Sequence, residues 1–501
     1  MARAFLTVLA VLLAVSGNLF ALDVNNPPEG RFSETWMEVY MLGGKVGYAQ
    51  STFSRDGDII TSTQRMFMRV GRADQPVEIE SEQMTKETLD GKPLSFSTKM
   101  KAASMNTETR GKIENGKVTV TTSQFGMEQK QTHDFSGGGV MSWGTYRASL
   151  LEGLDPGSSF TLKVYAPELR LDAPIEVVTT YLEWEDFENR GKTMRGLKSK
   201  SKMITPMGEM EVIAWLDKEG MPVRSTFPLP GFDNIELYAA DKAKAMSDFV
   251  PPEMFMTTTL PVKRSIDREK SREIVYKIKS KDGKSEIGAF PETAMQKVES
   301  AGQVSKLTVT RQDYSKKGAV PDKMSAADRL EYTGSNLMMN LEDPELQKIA
   351  KQAAGSETDP YKLADKLRVF VTDYISDKNL DVAFATASEV CRNKRGDCSE
   401  HGVLLAALGR LAGFPSRVVV GLAYVPLFGA QQDIYGYHMW TQFYIDGRWL
   451  DYDAALRETE CSPARIAMAV SSMQNAGMAE LTLPMIKKIG AIQMEIVSVT
   501  D

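Results

Sequence analysis

Cysteine is scarce in this chain of 501 residues. There are three, Cys391, Cys398 and Cys461, all in the last quarter. Three thiols cannot staple a disulfide scaffold of this size, and the odd number keeps at least one outside any intrachain bridge. Histidine is as rare, with only His133, His401 and His438. A dominant charge is also missing: 60 Lys and Arg stand against 66 Asp and Glu, a net of −6. That balance does not point to a nucleic-acid partner. The basic-biased run from Lys263 to Lys284 holds nine cations against four anions, and its mixed signs read as a solvated face or linker. After the N-terminus no stretch is apolar enough to cross a bilayer as a helix, so no transmembrane span is expected in the mature chain.

What is present is a globular composition, 42% hydrophobic and 25% charged, with length for two to four domains. The start, MARAFLTVLAVLLAVSGNLFALD, has one arginine, a short apolar core and then small residues. It has the layout of a cleavable secretory signal over residues 1–21, so the protein is expected to be exported, periplasmic or secreted.

From Trp36 to about Phe249 strand and turn signals alternate. WMEVYMLGGKVGYAQSTF reads as strand, glycine turn, strand, and GKIENGKVTVTTSQF repeats the pattern around Asn-Gly. A large antiparallel β domain is expected over 30–255, either an open half-barrel or a sandwich. Pro251, Pro252 and Pro261 mark a boundary, and a small mixed or β segment follows over 256–335. Then DPELQKIAKQAAG and DPYKLADKLRVFVTDYI each open with Asp-Pro, a helix cap followed by a residue with no N–H to waste. Leu363, Leu367, Phe370 and Tyr374 mark one expected apolar face. The region 336–480 therefore begins as helices and ends as strands, with a strand or tail over 481–501.

Within it, RGDCSEHGVLLAALGRLAGFPSRVVVG carries a helix with both ends written out. Asp397 is the N-cap, Glu400 completes a capping box, and Gly413 with Pro415 stops the helix. Cys398 falls on the first helical position, where the dipole and the N–H groups lacking helical acceptors favour a thiolate. Val403 to Ala412 leave almost no polar face, so the helix is expected to be buried.

Downstream, HMWTQFYIDGRWLDYDAAL reads as a hairpin turning at Asp446-Gly447. Counting outward places Asp453 near Met439 and Trp440, within reach of His438. A carboxylate there holds an imidazole in one tautomer and leaves its other nitrogen for a thiol. His401 reads as a core or supporting group, and His133 as surface loop.

Cys398 in GDCSEH, His438 in YHMW and Asp453 in GRWLDYD resemble the transglutaminase-like superfamily, especially its bacterial branch. The resemblance covers about Ala364 to Met473. It implies an α+β, papain-like core, a cysteine-bearing helix packed on an antiparallel sheet, behind mainly β N-terminal domains. It also implies Cys398 as nucleophile, His438 as base and Asp453 as orienting acid. Where the family has Asp-Pro-Thr this chain has Asp453-Ala454-Ala455, and Asp451 is the alternative acid. Members include cross-linkers, peptidases, amidases and inactive relatives.

The expected chemistry is acyl transfer on amide bonds with no metal and no cofactor. The expected partner is a protein or peptide substrate, cell-wall peptide included. Trp440, Trp449, Tyr437 and Tyr424 are candidate cleft walls. Three other readings compete: a zinc site from Cys391, Cys398 and His401; a disulfide involving Cys398, although any bridge is expected to join Cys391 to Cys461 and leave Cys398 alone; and a non-catalytic binding or structural protein with a degenerate domain.

Overall fold

The computed structural model describes residues 22–501 apart from 72–75, 103–104, 125–126, 206–207, 229–233, 254–257, 284–285, 302, 316–321, 379–384, 475–484, 486–487 and 489. The expected signal over 1–21 lies outside the described residues. The chain divides into two compact units, Met1–Glu253 and Met254–Asp501.

The first unit is one continuous antiparallel sheet of fourteen strands among the described residues. Eight run as successive neighbours from Gly30–Met41 out to Met127–Asp134. Six more run from Ser159–Val164 back to Ile235–Ala240, which pairs with Gly30–Met41. The hairpin turns are those the sequence marks. Leu42-Gly43 and Asn115-Gly116 both take positive φ, the backbone twist that a tight hairpin needs. Alternation sets the faces: in Gly44–Asp56, Ala49, Ser51 and Phe53 are buried while Tyr48, Gln50 and Thr52 are half-exposed. His133 lies in the edge strand Met127–Asp134, opposite Val118, rather than in a loop.

The longer helix described in this unit, Ser142–Leu151, has no side-chain cap of its own at Met141. Buried Glu87 supplies it from a neighbouring strand, accepting from the N–H groups of Met141, Trp143 and Gly144 at 3.0, 2.7 and 3.0 Å. Burial pushes Glu87 up to about 7 in spite of these bonds.

The second unit is α+β. Its helices include Pro344–Ala354, Pro360–Tyr374, Ala387–Asn393 and Cys398–Leu411. Asp343 and Asp359 cap the first two as their Asp-Pro openings predict. The buried stripe of Pro360–Tyr374 is Tyr361, Ala364, Leu367 and Val371, rotated from the expected one. Phe370 and Tyr374 stack on each other at 5.2 Å on its flank instead.

Two sheets complete this unit. In the first, Gln431–Ile445 lies between Ser416–Phe428 on one side and, on the other, Leu260–Pro261 and Arg448–Tyr452; Arg465–Ser471 follows beyond Ser416–Phe428. The second orders Gln296–Ala301, Val304–Thr310, Glu273–Ser280 and Ile492–Thr500. Residues from the 256–335 and 481–501 segments therefore share one sheet. A common core joins the two sheets, with Tyr276 Oη 2.8 Å from Tyr435 Oη and donating to the Pro463 carbonyl at 2.8 Å. No described helix is long and apolar enough to cross a membrane.

Candidate active site

The helix Cys398–Leu411 is built as its sequence dictates. Asp397 is extended at φ −102° and accepts from Ser399 N at 2.8 Å, while Glu400 Oε2 accepts from Asp397 N at 2.9 Å. Gly396 has φ +143°, and a Cβ there would lie 2.3 Å from Glu400 Cγ. Glycine is thus required where the chain folds over the capping carboxylate. Arg-Gly-Asp here is a turn and a cap, with Arg395 paired to Asp377 at 3.4 Å. Every residue from Ser399 to Arg410 is buried. At the far end Arg410 donates to the carbonyls of Gly334, Ser416 and Ser472. Gly413, at φ +92°, follows the helix end.

Cys398 is half-exposed at the start of this rod, whereas Cys391 and Cys461 are buried. No disulfide joins the three: Cys398 is not bridged, and the pairing expected of any bridge, Cys391 with Cys461, does not form. Each of those two belongs to its own packing: Cys391 lies against Tyr374, and Cys461 lies beside the Glu458 carbonyl. Burial pushes both thiols up.

The helix rides along the strand Gln431–Ile445. Thr441 Oγ1 donates to the Gly402 carbonyl at 2.9 Å, and a Cβ on Gly402 would come 3.0 Å from Met439. One on Gly409 would strike the Phe443 ring at 2.2 Å. Met439, Thr441 and Phe443 thus face the helix, while His438, Trp440 and Gln442 alternate to the other side. On its far edge this strand pairs with Leu260–Pro261 at Tyr435 and with Arg448–Tyr452 from Thr441 onward. His438 sits between those two pairings.

His438 Nε2 lies 2.7 Å from Asp453 Oδ2, and both side chains are buried. The hairpin register, Thr441 opposite Tyr452, carries Asp453 to this position. Although Asp453 is fully buried, the His438 ring and the Arg465 guanidinium hold its carboxyl well below the usual range. Ala454 follows Asp453 where the resemblance implies a proline, and the turn is closed in another way. Leu456 N donates to Asp453 Oδ1 at 2.8 Å, and Asp453 and Glu458 exchange backbone bonds at 2.8 and 2.9 Å. Thr372 Oγ1 fastens the next residue by donating to the Ala454 carbonyl at 2.7 Å.

Asp451, the alternative acid, is engaged elsewhere, accepting from Trp440 Nε1 at 2.5 Å and from Gln442 Nε2 at 3.0 Å. Trp440 is stacked on His438, with centroids 6.2 Å apart and planes at 17°. The other aromatic candidates lie elsewhere. Tyr437 alternates to the opposite face from His438 and packs with Tyr424 on the Tyr276 core. Trp449 pairs with Tyr444, six strand residues and roughly 20 Å from His438. Arg417 and Tyr332 cover it there.

His401 is buried on the first turns of the helix, its Nδ1 2.6 Å from the Asp397 carbonyl. Burial lowers its basicity, and the Asp453 charge partly opposes this. Among the described residues no three His, Cys, Asp or Glu side chains are gathered to hold a metal, so Cys391, Cys398 and His401 do not form a zinc site. Sequence reading missed Arg465, a lone cation in the apolar strand RIAMAVS. A buried charge in such a strand is itself a signal that a partner waits nearby.

Comparison with known proteins gives a family match over part of the chain and slight structural likenesses. The transglutaminase-like superfamily matches residues 347–454. No curated protein gives a significant match. Among solved structures, a candidate cysteine protease from Cytophaga hutchinsonii is 14% identical at TM-score 0.29, over 46% of this chain and 84% of its own. A β-barrel-like protein from Brucella abortus is 14% identical at TM-score 0.32, over 42% and 95%. A candidate protease from Parabacteroides distasonis is 11% identical at TM-score 0.19, over 80% and 69%. Likenesses this slight carry no argument. Residues 347–454 form a distant transglutaminase-like domain.

Proposed function

We propose that the protein is an exported thiol acyltransferase or hydrolase acting on amide bonds of a protein or peptide, with Cys398 as nucleophile, His438 as base and Asp453 as orienting acid. The observation that carries this reading is the buried His438–Asp453 hydrogen bond on the strand along which the Cys398 helix runs. From Gly402 to Gly409 the helix rises about 10 Å, matching about three residues of strand from the Met439–Thr441 pair to Phe443. Running the same register back one turn from Gly402 sets Cys398 at the height of His438 along the strand, with the ring on the strand's other face, so the reading requires the thiol to reach the ring past the open end of the helix.

In the reaction, the Cys398 thiolate attacks the amide carbonyl carbon. A C–S bond forms and the carbonyl π pair moves onto oxygen. The backbone N–H of Cys398 belongs to the helix-start group with no acceptor inside the helix, a donor type suited to an oxyanion. The His438 imidazolium protonates the amide nitrogen, the C–N bond breaks and an amine leaves a thioester. Water or a second amine then attacks, passes its proton to His438 and releases the thiolate. Asp453 keeps the proton on Nε2, so that Nδ1 is the nitrogen that works.

A thiol-directed probe followed by mass mapping tests the reading, together with trapping of acyl adducts from candidate peptides. Acyl adducts on Cys398, lost in Cys398→Ser and slowed by His438→Ala, are expected. Their release by water or by amine separates hydrolase from transferase. A Cys398 that gathers no adduct and reacts like a thiol in a disordered peptide would leave the domain a binding module.

A further inference from the structure

Asp453 Oδ2 accepts two bonds, one from His438 Nε2 at 2.7 Å and one from Arg465 Nη1 at 3.1 Å. Arg465 is itself buried. Its second nitrogen, Nη2, donates to Glu458 Oε2, and its Nε donates to the Ser462 carbonyl at 3.1 Å. The guanidinium carbon lies 5.1 Å from the Trp440 ring centroid, and Trp440 stacks on His438. The cation therefore meets the imidazole by two routes, through a shared carboxylate oxygen and through a shared aromatic neighbour.

We propose that Arg465 is a positioning residue of this site, fixing Asp453 toward His438 and limiting how strongly that carboxylate holds the imidazolium. The inference rests on the Cys398–His438–Asp453 reading above. A carboxylate bonded only to an imidazole would bind its charged form tightly and blunt it as an acid. Sharing the same oxygen with a fixed cation weakens that hold while keeping the carboxylate ionised and aimed.

Several other charged and titratable groups act on this cluster. Asp451, which accepts from Trp440 Nε1, and the buried Cys461 lie close enough to Arg465 to act on it. Arg268 pairs with Glu458 at 3.4 Å. Arg417 acts on Asp451, and from the helix side Asp397 and Lys378 act on His401. Of these, Glu458 is the anion that shares the guanidinium with Asp453, so it sets how much of the Arg465 charge reaches the His438 pair.

The test is the pH dependence of Cys398 alkylation by iodoacetamide, followed by mass spectrometry in full-length variants whose folding is checked by circular dichroism. Arg465→Gln should move the alkaline limb up by about half a pH unit or more, and Glu458→Gln should move it down by a similar amount. Arg465→Lys keeps the charge and should leave the limb in place, but a point charge cannot span both carboxylates. Amide turnover in that variant should fall several-fold.

Limbs superimposing on wild type in both neutral variants would overturn the proposal, and if Arg465→Gln does not fold, an unmoved limb in Glu458→Gln does the same. In either case a surviving effect of His438→Ala leaves the triad standing. Loss of the His438→Ala effect itself would instead sink the reading beneath it.

Discussion

At the scale of single residues, the site is a set of charges kept out of water and matched one to another. Asp453→Asn preserves the size of the side chain but removes the charge that fixes the His438 tautomer. A fall in acyl transfer on the order of 10² to 10⁴-fold is expected from steady-state rates. Two carboxyls should also write opposite signatures into stability. Asp453 is held below its ordinary value, so its contribution is present above about pH 4 and is lost as pH falls further. Glu400 is pushed up to about 8 by burial and by Asp397. The folded chain therefore keeps a proton that the unfolded chain has released, and this contribution declines as pH rises from about 4.5 toward 8. Urea unfolding across that range should show the decline, and Glu400→Gln should flatten it. The His438–Asp453 pair is legible in the sequence because hairpin register can be counted from Asp446-Gly447. Arg465 is not, because it reaches Asp453 across an irregular loop whose path no periodicity fixes.

At the scale of elements, the helix that begins at Cys398 is the most readable part of the chain. Its cap, box, apolar body and glycine stop are all local chemistry, and local chemistry is what a sequence states directly. Gly396 carries a further demand that comes from space, since Glu400 packs where a side chain would go. Gly396→Ala should destabilise the second unit by at least about 1 kcal/mol, read from thermal or denaturant melts, and should slow Cys398 modification as the helix start shifts. The aromatic positions show what local reading lacks. Tyr437 and Trp449 lie on the strands flanking the site, yet alternation turns one away and register carries the other roughly 20 Å off. The buried stripe of Pro360–Tyr374 is another case, because two apolar faces fit the same helical period and packing chooses between them.

At the scale of the molecule, two units of different architecture share one chain. The β-rich first unit is legible as a class from its turns and alternation. That its described strands form one continuous sheet is not, since strand order depends on which distant edges meet. The second unit closes on itself in a way composition does not announce, with Ile492–Thr500 pairing with Glu273–Ser280. Ending the chain after Ala491 should expose that strand and its tyrosine-centred core. Hydrogen exchange at Glu273–Ser280 should then rise, while exchange in the first unit stays unchanged.

The most direct measurement is the rate of alkylation of each cysteine at neutral pH, in the wild-type protein and in His438→Ala. Cys398 should react at least about tenfold faster than Cys391 and Cys461, and losing the imidazole should remove most of that advantage. Equal Cys398 rates with and without His438 would contradict this expectation.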